Sequence, residues 1–391
     1  MIKPTDYQIE LARTDQDIRG LEEILAARPD DPERTTRYVY RLYHRASLKG
    51  DFAPFLTAEA AIDRAIERFG PKEDLCLLKA NLDFKFHRLP AVKRDLEMAP
   101  DLLGRFEGRS LLADLDFQEG RYQPARVAYV DLIHENRTWD NLARLAHLEG
   151  KIGDADAAGQ LYIEAEDELT AKEMRSFAWL EVQRGVLDLS RGRHEDAASH
   201  YKRAGEAYSG HWFVSEHVAG LLAAQGQCET AIELYENAIV TAPRPEVKQA
   251  LGELYESVGQ PEKAQPLFDD AVTAYLQSVE RGDVHYYHHL VDFYSDVRPN
   301  GPEAVRFARA DIALRDNFST QGALAWALYH NTQVPEACEM VDRALSSGVR
   351  DARLLANAAA IHRAAGHTGE ADRLLQTAST INPHHQRFHV H

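Results

Sequence analysis

The amino-acid sequence predicts an all-α solenoid, a stack of about ten helical hairpins. Three observations predict it. A small residue recurs at a fixed spacing, apolar residues follow it at helical intervals, and glycine precedes it at a constant distance. The recurring residues are Ala58, Ala91, Ala125, Ala158, Ala197, Ala231, Ala264, Ala304, Ala337 and Ala371. Seven of the nine steps between them are 33 or 34 residues, so the chain is a repeat array and not a string of independent domains.

Residues 1–33 lie outside the repeat. The segment 17–31 predicts a lone helix with apolar Ile18, Leu21 and Leu25, ended before Pro29, and a capping role for the open end of the stack. Residues 34–384 hold the ten units. Four residues after the recurring alanine stand Ile62, Tyr129, Tyr162, Tyr201, Tyr235, Phe268, Val341 and Leu375. Seven after it stand Ala65, Leu132, Ala165, Ala204, Ala238, Ala271, Ala344 and Ala378. The spacing i, i+4, i+7 puts three apolar groups on one helix face. Glycines 120, 153, 192, 226, 259 and 366, five residues before the alanine, predict the turn inside each hairpin. Pro243 and Pro383 stop the second helix.

Three irregularities stand out. Two steps are long, 39 and 40 residues, and the extra residues in 166–177 and 273–283 are expected to lengthen a second helix. The second unit carries Asp95 where a bulky apolar residue belongs. The eighth carries Ala308 and Asp311 at such positions, and its loop reads as one residue longer than usual. Residues 385–391 form a histidine-rich tail.

The pattern resembles the tetratricopeptide repeat family. The seventh unit is nearest, with Leu251, Gly252, Tyr255, Gly259, Ala264, Phe268 and Ala271 on the family's marked positions. The family's tryptophan near the start of the first helix is missing from most units. The resemblance implies a right-handed superhelix whose first helices line a concave groove, and a protein-binding scaffold or adaptor that holds a partner polypeptide there. One fold hosts many functions, so the likeness does not choose a partner.

Composition narrows the partner classes. Asp plus Glu number 62 against 45 Lys plus Arg, a net charge of −17. That balance argues against nucleic acid and against anionic membranes, and favours a partner with a basic segment. Cys76, Cys228 and Cys338 are far apart and odd in number, which excludes a disulfide framework and fits a reduced, cytoplasmic setting. The opening residues show no signal-peptide pattern, and no run approaches the ~18 apolar residues of a membrane span. None of the common phosphate-binding, hydrolase or metalloprotease motifs is present, so an enzyme is not the first expectation.

Groove positions implied by the resemblance fall 18, 15, 11, 8 and 7 residues before the recurring alanine. In units seven to ten they and their neighbours include Gln249, Glu253, Glu256, Trp326, Tyr329, His330 and Arg353. Aromatics and Arg are the usual anchors of interfaces, and these residues are the expected partner-binding groove. The family's carboxylate clamp of Lys and Asn is not visible, since Gln249 and Glu253, or Ser110 and Asp114, occupy its places.

No cofactor is required by this reading. The alternative is a divalent metal or a small ligand. Two histidine clusters motivate it, His285, His288 and His289 with Asp292, and the tail with His389 and His391. The spacing of His285, His288 and Asp292, at i, i+3, i+7, puts three donors on one helical face. Two imidazoles and a carboxylate suit Zn²⁺ or Fe²⁺. An ordinary polar helix face is the competing expectation.

Overall fold

The computed structural model describes residues 3–385, which form 21 α-helices and no strand. A single helix, α1 (Asp6–Ala27), leads. Antiparallel pairs follow: α2 (Pro32–Lys49) with α3 (Phe52–Phe69), α4 (Glu73–Lys85) with α5 (Leu89–Glu97), and α6 (Phe106–Gln118) with α7 (Tyr122–Glu135). Then come α8 (Trp139–Ile152) with α9 (Ala155–Asp167), α10 (Met174–Ser190) with α11 (His194–Ala207), and α12 (Trp212–Ala224) with α13 (Cys228–Thr241). The last are α14 (Pro245–Ser257) with α15 (Pro261–Glu280), α16 (Tyr287–Asp292) with α17 (Gly301–Leu314), α18 (Phe318–His330) with α19 (Val334–Ser346), and α20 (Ala352–Ala364) with α21 (Thr368–Ile381). The fold is thus an all-α solenoid of ten helical hairpins. The packing follows the repeat, since every recurring alanine except Ala91 is fully buried and Tyr129, Tyr162, Tyr201, Tyr235 and Phe268 fill the space beside them. Each such side chain contributes about 1.5–3 kcal/mol on burial.

Four details depart from the sequence expectations. Helix α1 begins at Asp6, well before residue 17, because Thr5 and Gln8 form a reciprocal capping box at its start. In the second unit the buried residue of the repeat is Val92, not Ala91. The steps around it are then 34 and 33, Leu96 and Ala99 take the following positions, and Asp95 falls one place short of the bulky site. In the eighth unit the extra residue lies in the first helix and not in a longer loop. A π-helical turn, Phe293–Val297, follows α16 and absorbs it. Of the two long steps, the second lengthens α15 to 20 residues as expected, whereas the first leaves α9 at 13 residues and is taken up by a loop and the longer α10.

Most hairpin turns use a left-handed residue, and glycine supplies it in seven units, Gly50 (φ 67°) in the first and six more from Gly120 (φ 77°) to Gly366 (φ 85°). His87 (φ 58°) and Thr332 (φ 61°) hold the same position in units two and nine.

The trough is not open along its length, because the second superhelical turn rests on the first. The backbone of Tyr7 bonds to Ser209, Trp212 reaches Leu48, the Asn317 side-chain amide donates to the carbonyl of Gln118 (2.8 Å), and the Arg350 N–H donates to that of Ile152 (3.2 Å). Units three and four therefore meet the connectors that lead into units nine and ten, six units on. The first-turn glycines sit in this seam. A Cβ on Gly120 would stand 2.4 Å from the Asp316 carbonyl oxygen, and one on Gly153 2.4 Å from Arg350, whereas one on Gly226 meets open space. Gly120→Ala and Gly226→Ala share the left-handed penalty, about 1–2 kcal/mol. Only Gly120→Ala also overpacks the seam, and it is expected to cost about 1–3 kcal/mol more in urea unfolding. Equal losses would mean that the turns do not press together.

Candidate functional site

The first turn surrounds an open cavity of about 640 Å³. Six consecutive units contribute to its wall, from Ser47 of α2 through α4, α6, α8 and α10 to His211 before α12. It is the interior of one closed superhelical turn, built from the first helices that the repeat turns inward. Its apolar wall is aromatic. Trp139 and Trp179 meet edge to face at 6.3 Å, and Phe84 and Phe117 belong to the same lining. Trp179 keeps 37% of its surface exposed, so the wall is reachable from solvent. Volumes of about 300–1,000 Å³ with a few fixed polar groups are typical of ligand pockets.

The polar centre is an ion set. Arg144 Nε donates to Asp114 at 3.2 Å and its Nη1 to Asp140 at 2.7 Å, while the Tyr129 hydroxyl donates to Asp114 at 2.8 Å. Burial raises the Asp114 carboxyl, and Arg144 and Tyr129 only partly offset it. Burial acts on Asp140 in the same sense, but its bonds to Thr138 and Arg144 outweigh that and hold it low. His147 falls to about 3 through burial and then Lys151, and His211 to about 4 through burial and then Arg175. Both imidazoles are therefore neutral at pH 7. Arg175 lies at the wall 3.6 Å from Glu10. The chamber offers an aromatic seat beside a compensated charge cluster.

The residues expected to form the groove fall into two places. Gln249 is buried, donates to Glu253 at 2.8 Å and accepts from the Tyr275 hydroxyl at 3.0 Å, so it belongs to an internal network. Glu256 is more exposed and pairs with Arg298 at 3.2 Å. Trp326, Tyr329, His330 and Arg353 do converge. Trp326 Nε1 donates to Asp296 at 2.9 Å, His330 and Arg353 approach the same carboxylate at 3.8 and 3.6 Å, and Trp326 stacks on Tyr329 at 5.2 Å. The chamber residues were within reach of the same offsets. Applied to units three to five, they mark Asp114, Phe117, Gln118, Asp140, His147 and Trp179.

The expected metal face does not form. Helix α16 starts at Tyr287, so His285 precedes it and the i, i+3, i+7 relation to His288 and Asp292 is broken. His285 is instead buried in the seam, stacked on Phe52 at 3.6 Å, and burial followed by His289 lowers it to about 3. His288 lies 5.8 Å from the His87 ring, and burial followed by His289 keeps it well below its usual range. His289 stacks on Tyr275 at 5.4 Å. Among the described residues, the three-donor group lies elsewhere, at Cys338, His362 and His367. His389 and His391 lie outside the described residues.

Among the described residues, no helix is long and apolar enough to cross a membrane. No family model and no curated protein matches the chain. Among solved structures it is similar to the crystal structure of the APC/C hetero-tetramer Cut9-Hcn1, at 14% identity over 88% of this chain and 74% of that one. The TM-score of 0.46 is too low to carry an argument about this chain.

Proposed function

We propose that the protein is an interaction scaffold that takes a short apolar segment of a partner polypeptide into the first-turn chamber. The aromatic wall of Trp139, Trp179, Phe84 and Phe117 carries this reading, because it combines a rigid apolar seat with reachable surface. The preformed cavity limits the ordering cost on the scaffold side. The chain's net charge of −17 favours a segment with basic flanks. The bounded volume supports a second reading, a small apolar ligand in the same seat.

The test is quantitative affinity capture from the native extract with three forms of the chain. Loss of two anchor tryptophans should weaken binding by about 2 kcal/mol or more, at least thirtyfold. Trp139→Ala with Trp179→Ala should therefore deplete the captured partner, while Trp326→Ala with Glu253→Lys should retain it. The reverse pattern would place the site at the Asp296 cluster of the second turn. A small molecule released from wild-type protein on denaturation, and absent from the tryptophan variant, would select the second reading.

A further inference from the structure

Three hairpins close their internal turn with an ion pair. An acid nine residues before the repeat's buried anchor meets an arginine four before it: Asp83 with Arg88 (2.5 Å), Asp116 with Arg121 (2.5 Å) and Asp188 with Arg193 (2.6 Å). In the last hairpin the same two positions are His362 and His367. Their Nδ1 atoms face each other at 3.3 Å. Opposite charges have been replaced by two ring nitrogens, which either a proton on one of them or a shared cation can join.

The surroundings say which. His362 is buried, and its Nε2 lies 3.0 Å from Asp342 Oδ1. A carboxylate only accepts, so Nε2 of a neutral His362 carries the proton and its Nδ1 presents a lone pair toward His367. This carboxylate–imidazole arrangement is the one that orients metal-bound histidines. Cys338 is buried on α19, one helical turn before Asp342, and one ligand atom from each of Cys338, His362 and His367 lies within 4.8 Å of the others. Tetrahedral Zn²⁺ with Zn–N of about 2.0–2.1 Å sets its nitrogens about 3.3 Å apart.

We propose that Cys338, His362 and His367 form a zinc site, with Asp342 orienting His362 and solvent in the fourth position. One thiolate and two imidazoles suit Zn²⁺ and not Mg²⁺ or Ca²⁺. Exposed His367 is the side from which ion and solvent enter. The ion ties α19, α20 and the start of α21 together, so it staples unit nine to unit ten.

The experiment titrates full-length, tag-free protein with Co²⁺ as the probe and then displaces it with Zn²⁺. Wild type should bind one equivalent with a thiolate-to-cobalt charge-transfer band, and Zn²⁺ should raise its melting temperature. Cys338→Ser should lose the band and the melting shift. His367→Ala, at an exposed position that leaves the core intact, should lose the melting shift and bind Zn²⁺ at least tenfold more weakly. Asp342→Asn should weaken Zn²⁺ about 10- to 100-fold while keeping the band. Cobalt bound without a thiolate band, or bound equally by Cys338→Ser, would assign the ion to other histidines and overturn the site.

Discussion

Trp212→Ala should destabilise the protein by about 3–5 kcal/mol, a larger loss than its place at the start of a helix would imply. The indole is buried at the seam between the two superhelical turns. Its Nε1–H donates to the Leu48 carbonyl at 2.8 Å, across 164 residues of chain. Leu48 is in the last turn of α2, where carbonyls have no partner within the helix, so Trp212 acts as a long-range cap. The ring covers Gly50, where a Cβ would stand 2.1 Å from it, and the Arg244 guanidinium lies 4.8 Å from its centroid. Removing it opens a cavity and leaves the Leu48 carbonyl unbonded. Trp212→Phe keeps most of the packing and loses the bond, so it should cost about 1 kcal/mol. Urea unfolding followed by circular dichroism reads both. Stacked repeats otherwise unfold through nearest-neighbour contacts, and seam contacts are what make the two turns one cooperative unit. Trp212→Ala should therefore broaden or split the transition. A loss below about 1 kcal/mol with an unchanged slope would show that the turns unfold independently.

What the sequence made legible was local, and what it hid was long-range. The buried alanines and their i+4 partners are short-range periodic signals, and they locate the ten hairpins. In the second unit the sequence pattern points one residue early, because Ala91 is the small residue but is only half-buried, Val92 is the buried one, and His87 takes the turn position that glycine marks in most units. Counting from the helix start corrects it, since the anchor is the fourth residue of α7, α9, α11 and also of α5. Nothing periodic announces the seam. Trp212, Asn317 and Arg350 meet residues one superhelical turn away, and such pairings depend on the accumulated rotation per unit. That rotation also decides which inward faces remain open. The groove offsets mark Gln249 and Trp179 alike, yet Gln249 is sealed in a network and Trp179 lines a chamber. The single helical face expected for His285, His288 and Asp292 is broken for a local reason, the late start of α16, while the Cys338, His362 and His367 group spans three helices and has no spacing signature.

The second large effect is a pH dependence set by Asp95. Its side chain is buried in α5, and Oδ2 meets no hydrogen-bond donor among the described residues. Buried Asp83 stands beside it and already pairs with Arg88. Burial first, and Asp83 second, raise Asp95 to about 8. In the unfolded chain the same carboxyl titrates near about 3.9. Between these values the folded state holds a proton that the unfolded state has lost, so unfolding gains as pH rises. This contribution is absent below about pH 4, grows by at most about 1.4 kcal/mol per pH unit, and levels off above about pH 8. Asp95→Asn keeps the shape, stays neutral and can donate to Asp83. It should match wild type near pH 4 and be the more stable protein at pH 8, with about 5 kcal/mol as the upper bound that this shift sets. Carboxylates away from this pair change stability in both proteins alike, so the difference curve reports the coupled Asp83 and Asp95. Parallel stability curves from pH 4 to pH 8 would mean that Asp95 is ionised in the folded chain, and that the pocket between α4 and α5 is wetter than its packing shows.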